Sequence, residues 1–302
     1  MPQDSHRSAN RARHPASPEP LRSEFARQTV KWRKLLARTT RKPTPSAVHD
    51  LRVATLRLQA GIEYWTGRRN DHPLARRAAR WIAQSRKLRD VLGPVRGADV
   101  TLRNLKTLRE EIAGSNGVAP AEGSECLHQI EKLERKVKRA RRAGAKELVN
   151  WLDGRGARLE KGMLRMEKGL DQLNPFPAGC GAVLLSEFLA GHAPSRSKLD
   201  RKTLHEFRKQ LKKVRYITEI SACDEPSPST HLRKLQSALG EWHDWDALVR
   251  TARRALGASG DAASLMPRLE DRASKALRSA LAEIRRFLAA LSSSPAKRRP
   301  LR

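Results

Sequence analysis

The most regular alternation of apolar and polar positions lies in residues 204–216, LHEFRKQLKKVRY. The segment has no Gly or Pro, and its apolar residues recur every three or four positions, the period of an α-helix. Leu204, Phe207, Leu211 and Val214 make one side, which Thr218 extends. His205, Arg208, Lys212 and Arg215 make another, at steps of 3, 4 and 3, so the four heads stack turn above turn. Lys209 and Lys213 lie further round the helix. Cations in one row repel each other, and the two nearby acids, Glu206 and Glu219, stand outside the row. The pattern predicts a polyanion lying along the ridge.

The pattern occurs again 156 residues earlier, in VHDLRVATLRLQAGIEY at 48–64. His49 answers His205 and Arg52 answers Arg208, with Arg57 following in the same stretch. The apolar side is Val48, Leu51, Thr55, Leu58, Ile62 and Trp65. Each copy is followed by a second shared piece, RKLRDVLGPVRGADV at 86–100 and HLRKLQSALGEWHDWDALV at 231–249. There Gly93 answers Gly240, and Asp99 answers Asp246. A pattern repeated twice predicts a duplicated helical unit whose halves pack face to face.

The remaining elements follow from punctuation. Residues 1–20 carry almost no apolar positions and are expected to be a disordered basic tail. A first helix is predicted over 21–39, and a second after the turn at 43–50, with Ser46 as its N-cap. A third helix starts at Asp71-His72-Pro73 and ends near Gly93-Pro94; a fourth covers 97–113. The linker GSNGVAPAEG divides two halves, about 21–113 and 124–292. A long polar helix follows over 124–173, with bends expected around Gly154, Gly156 and Gly162. Further helices are predicted at 181–191, 198–222, 229–239, 241–257 and 262–291, before a basic tail at 293–302. Gly93 and Gly240 are expected to end helices in a left-handed conformation. No segment shows the β-branched alternation of a strand. The fold class is therefore all-α, with two pseudo-symmetric helical bundles.

Four motifs in this order, VHDLRVAT, RKLRDVLGPVR, LHEFRKQLKKVRY and LQSALGEWHD, resemble those of the CHAD domain family, named for a conserved histidine and its α-helical make-up. The resemblance covers most of the chain. It implies an all-helical, pseudo-two-fold fold and a basic surface that binds inorganic polyphosphate. Three positions depart from the family pattern. Leu56 stands where a basic residue is usual, aligned with Lys212, and Gln59 aligns with Arg215. Both weaken the first ridge. Gly97 replaces an Asp that usually follows the Arg.

Charge strengthens this picture. The chain has 302 residues with 62 Lys and Arg against 32 Asp and Glu, a net charge of +30 and a pI near 11.2. Such a balance calls for a polyanionic partner: polyphosphate, nucleic acid or an acidic membrane. No apolar run is long enough to cross a bilayer, and the first residues lack the apolar core of a signal peptide. A cytoplasmic protein is expected, at polyphosphate granules if the family resemblance holds. Cys126, Cys180 and Cys223 show no metal spacing and form no disulfide framework.

The candidate polyphosphate ligands are therefore His49, Arg52, Arg57, His205, Arg208, Lys209, Lys212, Lys213 and Arg215 on the two ridges. Arg86, Lys87, Arg89, Arg96, Arg233 and Lys234 join them from the LG blocks. Histidine donates N–H to phosphate oxygen, Arg grips it with two parallel bonds, and Lys acts as a point charge. Asp99 and Asp246 are expected to orient cations or cap helices. The run ERKVKRARRAGAK at 134–146 either binds nucleic acid or widens the same polyanion surface. Trp32, Trp65, Trp81 and Trp151 read as core, and Trp242 and Trp245 as partly exposed. Neither a phosphate-cradling GxxxxGK[ST] loop, a GxSxG elbow nor acids placed to hold Mg²⁺ occur, so no catalysis, cofactor or metal is expected. The rival reading is a nucleic-acid-binding, nucleoid-associated helical protein.

Overall fold

The structure, a computed structural model, describes residues 19–67, 73–114, 120–170, 201–220, 226–257 and 264–292. They form seven helices: α1 (Glu19–Arg41), α2 (Pro45–Gly67), α3 (Leu74–Ala113), α4 (Pro120–Leu170), α5 (Arg201–Ile220), α6 (Pro226–Leu256) and α7 (Leu265–Ser292). No strand occurs among the described residues. Both terminal tails, the helix expected at 181–191, and Cys180 and Cys223 lie outside the described residues.

Local chemistry explains most boundaries. Pro45 opens α2, where its missing N–H has no intrahelical partner to lose. The cap is Thr44, not Ser46: its Oγ1 accepts the Ala47 N–H at 3.2 Å. Two expected breaks are absent. α3 runs unbroken through Gly93-Pro94, and α6 through Gly240. Pro94 is exposed, so solvent can satisfy the carbonyl freed by its missing N–H. Leu92 and Val95, both 0% exposed, pin the helix on either side of it. Tertiary packing thus overrides the breaker signal. Gly257 is the one described glycine with positive φ, 77°, and it ends α6. Gly93 and Gly240 are mid-helix residues instead.

Two hydrophobic cores hold the helices. One gathers Trp32 of α1, Leu51 and Leu58 of α2, Leu88 and Leu92 of α3, and Leu148 and Met163 of α4. The other gathers Leu105 of α3, Ile130 and Leu133 of α4, Leu211 of α5, Leu235 and Leu248 of α6, and Leu269 of α7. Each such residue contributes about 1.5–3 kcal/mol by leaving water. The cores part between Val95 and Ala98 on α3 and between Val137 and Leu148 on α4. α3 and α4 therefore each serve both bundles, and the division does not fall at the linker. Trp32, Trp65 and Trp81 are buried, as expected, and Trp151 is partly so. Trp242 and Trp245 are buried too, each 4% exposed, against the expectation of partial exposure.

Missing side chains let α4 lie close on α3. A Cβ at Gly169 would fall 2.0 Å from Leu74 Cδ2, and one at Gly162 would fall 3.3 Å from Trp81 Cδ1. α4 passes through Gly154, Gly156 and Gly162 as one helix. α2 meets α5 where Ala60, Tyr216 and Ile217 cluster with Val53 and Leu56. The two histidine-bearing helices are thereby clamped side by side.

Candidate functional site

A groove of about 690 Å³ runs between the two bundles, walled by α2, α3, α5 and α6 with Lys31 reaching in from α1. Its lining holds eight Lys and Arg side chains: Lys31, Arg52, Arg57, Arg96, Arg208, Lys212, Arg215 and Arg233. His49 and His243 join them, and only Asp50 and Asp244 oppose them. Gly93, Gly97 and Gly240 also line it, and a Cβ on any of the three would meet nothing within 4 Å. The mid-helix glycines leave the groove wall as bare backbone, which a ligand can approach closely.

One end of the groove carries its own counter-charge. Arg57 Nε donates to Glu219 Oε2 at 2.7 Å, and Arg215 Nε stands 3.4 Å from Glu219 Oε1. Both guanidinium groups lie near the Tyr216 ring, 5.9 and 5.3 Å from its centroid. Glu219 lies outside the sequence ridge yet folds onto it. Arg52 is held in place by donating Nη1 to the Arg89 carbonyl at 3.0 Å. The middle of the groove is different. Arg208 Nε is buried without a hydrogen-bond partner, and neither Arg208 nor Lys212 makes an ion pair among the described residues. An unmet buried donor is costly, and an anionic oxygen would satisfy it.

Electrostatics record the crowding. Burial first, then Arg208, Arg52 and Arg215, pull the Lys212 ammonium from its ordinary 10.5 down to about 7, with Asp244 opposing. Burial and neighbouring cations likewise push His49 and His205 below their ordinary value, and His243 down to about 3. Burial raises the Asp244 carboxyl, while Arg208, Arg103, Arg96 and Lys212 hold it down. Arg103 Nη2 donates to Asp244 Oδ2 at 3.3 Å. Asp244 thus acts as an internal counter-charge for cations of α3 and α5. Its place in the first half is taken by Gly97, four residues beyond the matched glycine in each block.

Of the residues singled out in the sequence, His49, Arg52, Arg57, Arg96, Arg208, Lys212, Arg215 and Arg233 line the groove. The others stand outside its lining. His205 faces His243, with ring centroids 5.0 Å apart. Arg86 pairs with Glu63 at 3.7 Å, Lys213 with Glu63 at 3.2 Å and Lys209 with Glu206 at 3.3 Å. Arg89 lends its carbonyl to Arg52, and Lys87 and Lys234 are exposed. Lys31, His243, Asp50 and Asp244 are groove residues that the motifs did not flag. Lys31 comes from a helix outside the repeat. His243-Asp244 could have been found by extending the ridge period into the second LG block.

Asp99 and Asp246 orient cations, as anticipated. Asp99 Oδ1 accepts from Arg141 Nε at 2.5 Å, and Arg141 Nη2 donates to the Pro43 carbonyl at 3.0 Å. Asp246 holds Arg201 and Arg250. Both carboxylates are buried at matched places and brace the bundles behind the groove. Cys126 is buried and in no disulfide among the described residues. Among the described residues no cluster of three or more His, Cys, Asp or Glu could hold a metal, and no helix is long and apolar enough to cross a membrane.

Fold and groove together define a class: an all-α domain of two fused helical bundles that lines the cleft between them with Lys and Arg side chains. The chain belongs to the CHAD domain family, whose sequence model matches residues 24–250. In structure it is similar to PptA from Streptomyces chartreusis, with a TM-score of 0.62 and 13% identity, over 92% of this chain and 100% of that one. That similarity is one of fold. No curated protein sequence matches the chain.

Proposed function

We propose that the protein binds inorganic polyphosphate along the groove between its bundles and does not turn it over. One observation carries the reading: Arg208, with its Nε buried, and the half-buried Lys212 make no ion pair among the described residues, in a lining whose eight Lys and Arg stand against two Asp. A folded protein keeps cations desolvated and close together only at a cost, and an anion with a charge on every unit offsets it. Polyphosphate is such a ligand. It is also thin and flexible enough to enter a groove whose glycines leave the backbone bare. Family membership supports the same ligand. The two groove carboxylates do not form a metal pair, since Asp244 is engaged by Arg103, and this supports binding without phosphoryl transfer. Association with polyphosphate granules follows from such binding.

The test is a competition at one salt concentration between long-chain polyphosphate, duplex DNA and RNA, with Arg208→Ala/Lys212→Ala beside the wild type. Polyphosphate should bind tightest, and the double variant should lose that preference while keeping its helical circular dichroism. Equal affinity of the variant and the wild type for polyphosphate would overturn the assignment.

A further inference from the structure

We propose that the outward face of α4 is a second polyanion surface, separate from the groove, which takes the phosphate backbone of duplex nucleic acid without regard to sequence. Arg135, Arg139, Arg142 and Lys146 follow one another at steps of 4, 3 and 4, so they stack into a single ridge. At 1.5 Å per residue the ridge is about 16 Å long. All four residues are exposed, and none makes an ion pair among the described residues. Their basic neighbours are engaged: Lys138 pairs with Glu134 at 3.1 Å and Arg141 with Asp99 at 2.5 Å. The exposed residues between the four include Ala140 and Ala143, whose small side chains hold no partner away.

The ridge does not widen the groove. At about 100° per residue it lies roughly opposite Val137, Gly144 and Leu148, the buried residues that seat α4. A Cβ on Gly144 would touch Val95 and Pro94 of α3, whereas Gly93 and Gly97 of α3 open into the groove. α3 therefore stands between the two cationic surfaces, and α4 supplies no residue to the groove lining. Both surfaces can be occupied at once.

Shape selects the ligand class. A convex ridge touches a partner on one side only. A thin flexible chain would lose conformational freedom for that one-sided contact. A duplex is already stiff over about 150 base pairs and presents a charge every ~1.7 Å, so it loses none. A lipid surface would be gripped by large apolar or aromatic side chains between the cations, and alanines stand there instead. Phosphate contacts alone give binding independent of sequence.

The experiment uses the full chain and a short random-sequence duplex, read by fluorescence anisotropy over a salt series. The ridge variant is Arg135→Gln/Arg139→Gln/Arg142→Gln/Lys146→Gln, and the groove variant is Arg208→Gln/Lys212→Gln. Short-chain polyphosphate and phosphatidylserine vesicles are run in parallel, with circular dichroism to confirm folding. The ridge variant should lose roughly tenfold or more in duplex affinity, its salt slope shallower by up to about 3.6, while its polyphosphate affinity stays within about twofold. The groove variant should show the reverse pattern. No duplex binding by the wild type, an unaltered ridge variant, or a groove variant that loses the duplex equally would overturn the proposal. So would loss of vesicle binding in the ridge variant with duplex binding kept. The duplex arm stands apart from the polyphosphate reading, because failure of the groove to bind polyphosphate leaves it intact.

Discussion

Lys212 is where the groove's chemistry and the fold's stability oppose each other most directly. In the unfolded chain its ammonium keeps its proton to about 10.4. In the folded protein burial, then Arg208, lowers that point to about 7. Between about 7 and about 10.5 the unfolded chain therefore binds a proton that the folded chain lacks. Stability rises with pH through this window, and below about 7 the folded state carries the full cost of the buried charge. A proton held about 3.5 pH units less tightly corresponds to about 5 kcal/mol. Side-chain relaxation and water penetration reduce this, leaving about 1–3 kcal/mol as the expected share. Lys212→Met keeps an unbranched apolar stem and deletes the charge. In phosphate-free buffer near neutral pH the variant should resist urea better than wild type by about 1–3 kcal/mol. Its advantage should shrink as pH rises towards about 10, where wild type has shed the penalty. Polyphosphate should then reverse the order, stabilising wild type more, because only wild type offers the central charge. A Lys212→Met protein no more stable than wild type at neutral pH, or one with the wild-type pH slope, refutes the reasoning.

Asp244→Asn removes the internal counter-charge; polyphosphate should bind more tightly near pH 6, with a salt slope steeper by about 0.7, and weaker binding in titrations across salt would contradict this. His49→Gln should abolish the gain in affinity as pH falls below about 6.5 but keep the response near 7 that belongs to Lys212, since a bound anion favours the protonated form of each; a profile unchanged at both limbs would make His49 structural. Gly169→Ala places a methyl 2.0 Å from Leu74 Cδ2, and thermal melts should show a loss of about 1–3 kcal/mol with polyphosphate affinity unchanged.

Much of the groove was legible because helical period and charge are local properties. His49, Arg52, Arg208, Lys212 and Arg215 could be placed on ridges from spacing alone, and the structure brings those ridges to one cleft. What the sequence hid was non-local. Gly93-Pro94 carries every sign of a break, yet Leu92 and Val95 sit in a core that two bundles share, and their burial outweighs one lost hydrogen bond. Lys31 comes from a helix with no counterpart in the repeat. Glu219 looks remote from the ridge, but one further turn brings it onto Arg215, and the packing of α2 on α5 delivers Arg57 to it. The run at 134–146 left two readings open because a helix's outer face is visible in sequence, whereas the side of the molecule it occupies is not.

The shared helices also explain how a cleft lined mainly by like charges stays formed. Opening the bundles would relieve the repulsion. On one side they are joined by α2 against α5, where a Cβ at Gly61 would come within 3.1 Å of Ile220. Through the middle runs α3, whose two halves are anchored in different cores. Behind it, Asp99 holds Arg141 of α4, and Asp246 holds Arg201 and Arg250, so these braced cations stand outside the groove lining, whereas Arg208 and Lys212 within it make no ion pair among the described residues. The cores supply enough buried area to hold Arg208 and Lys212 where water cannot fully solvate them. Their mutual repulsion is thereby fixed by the fold, and on the proposed reading an entering anion would relieve it. Because the released energy scales with the number of charges brought into contact, the proposed ligand is one that combines a charge on every unit with a chain slender enough to enter the groove. A phosphate chain gains at every link, whereas a single phosphate gains only once.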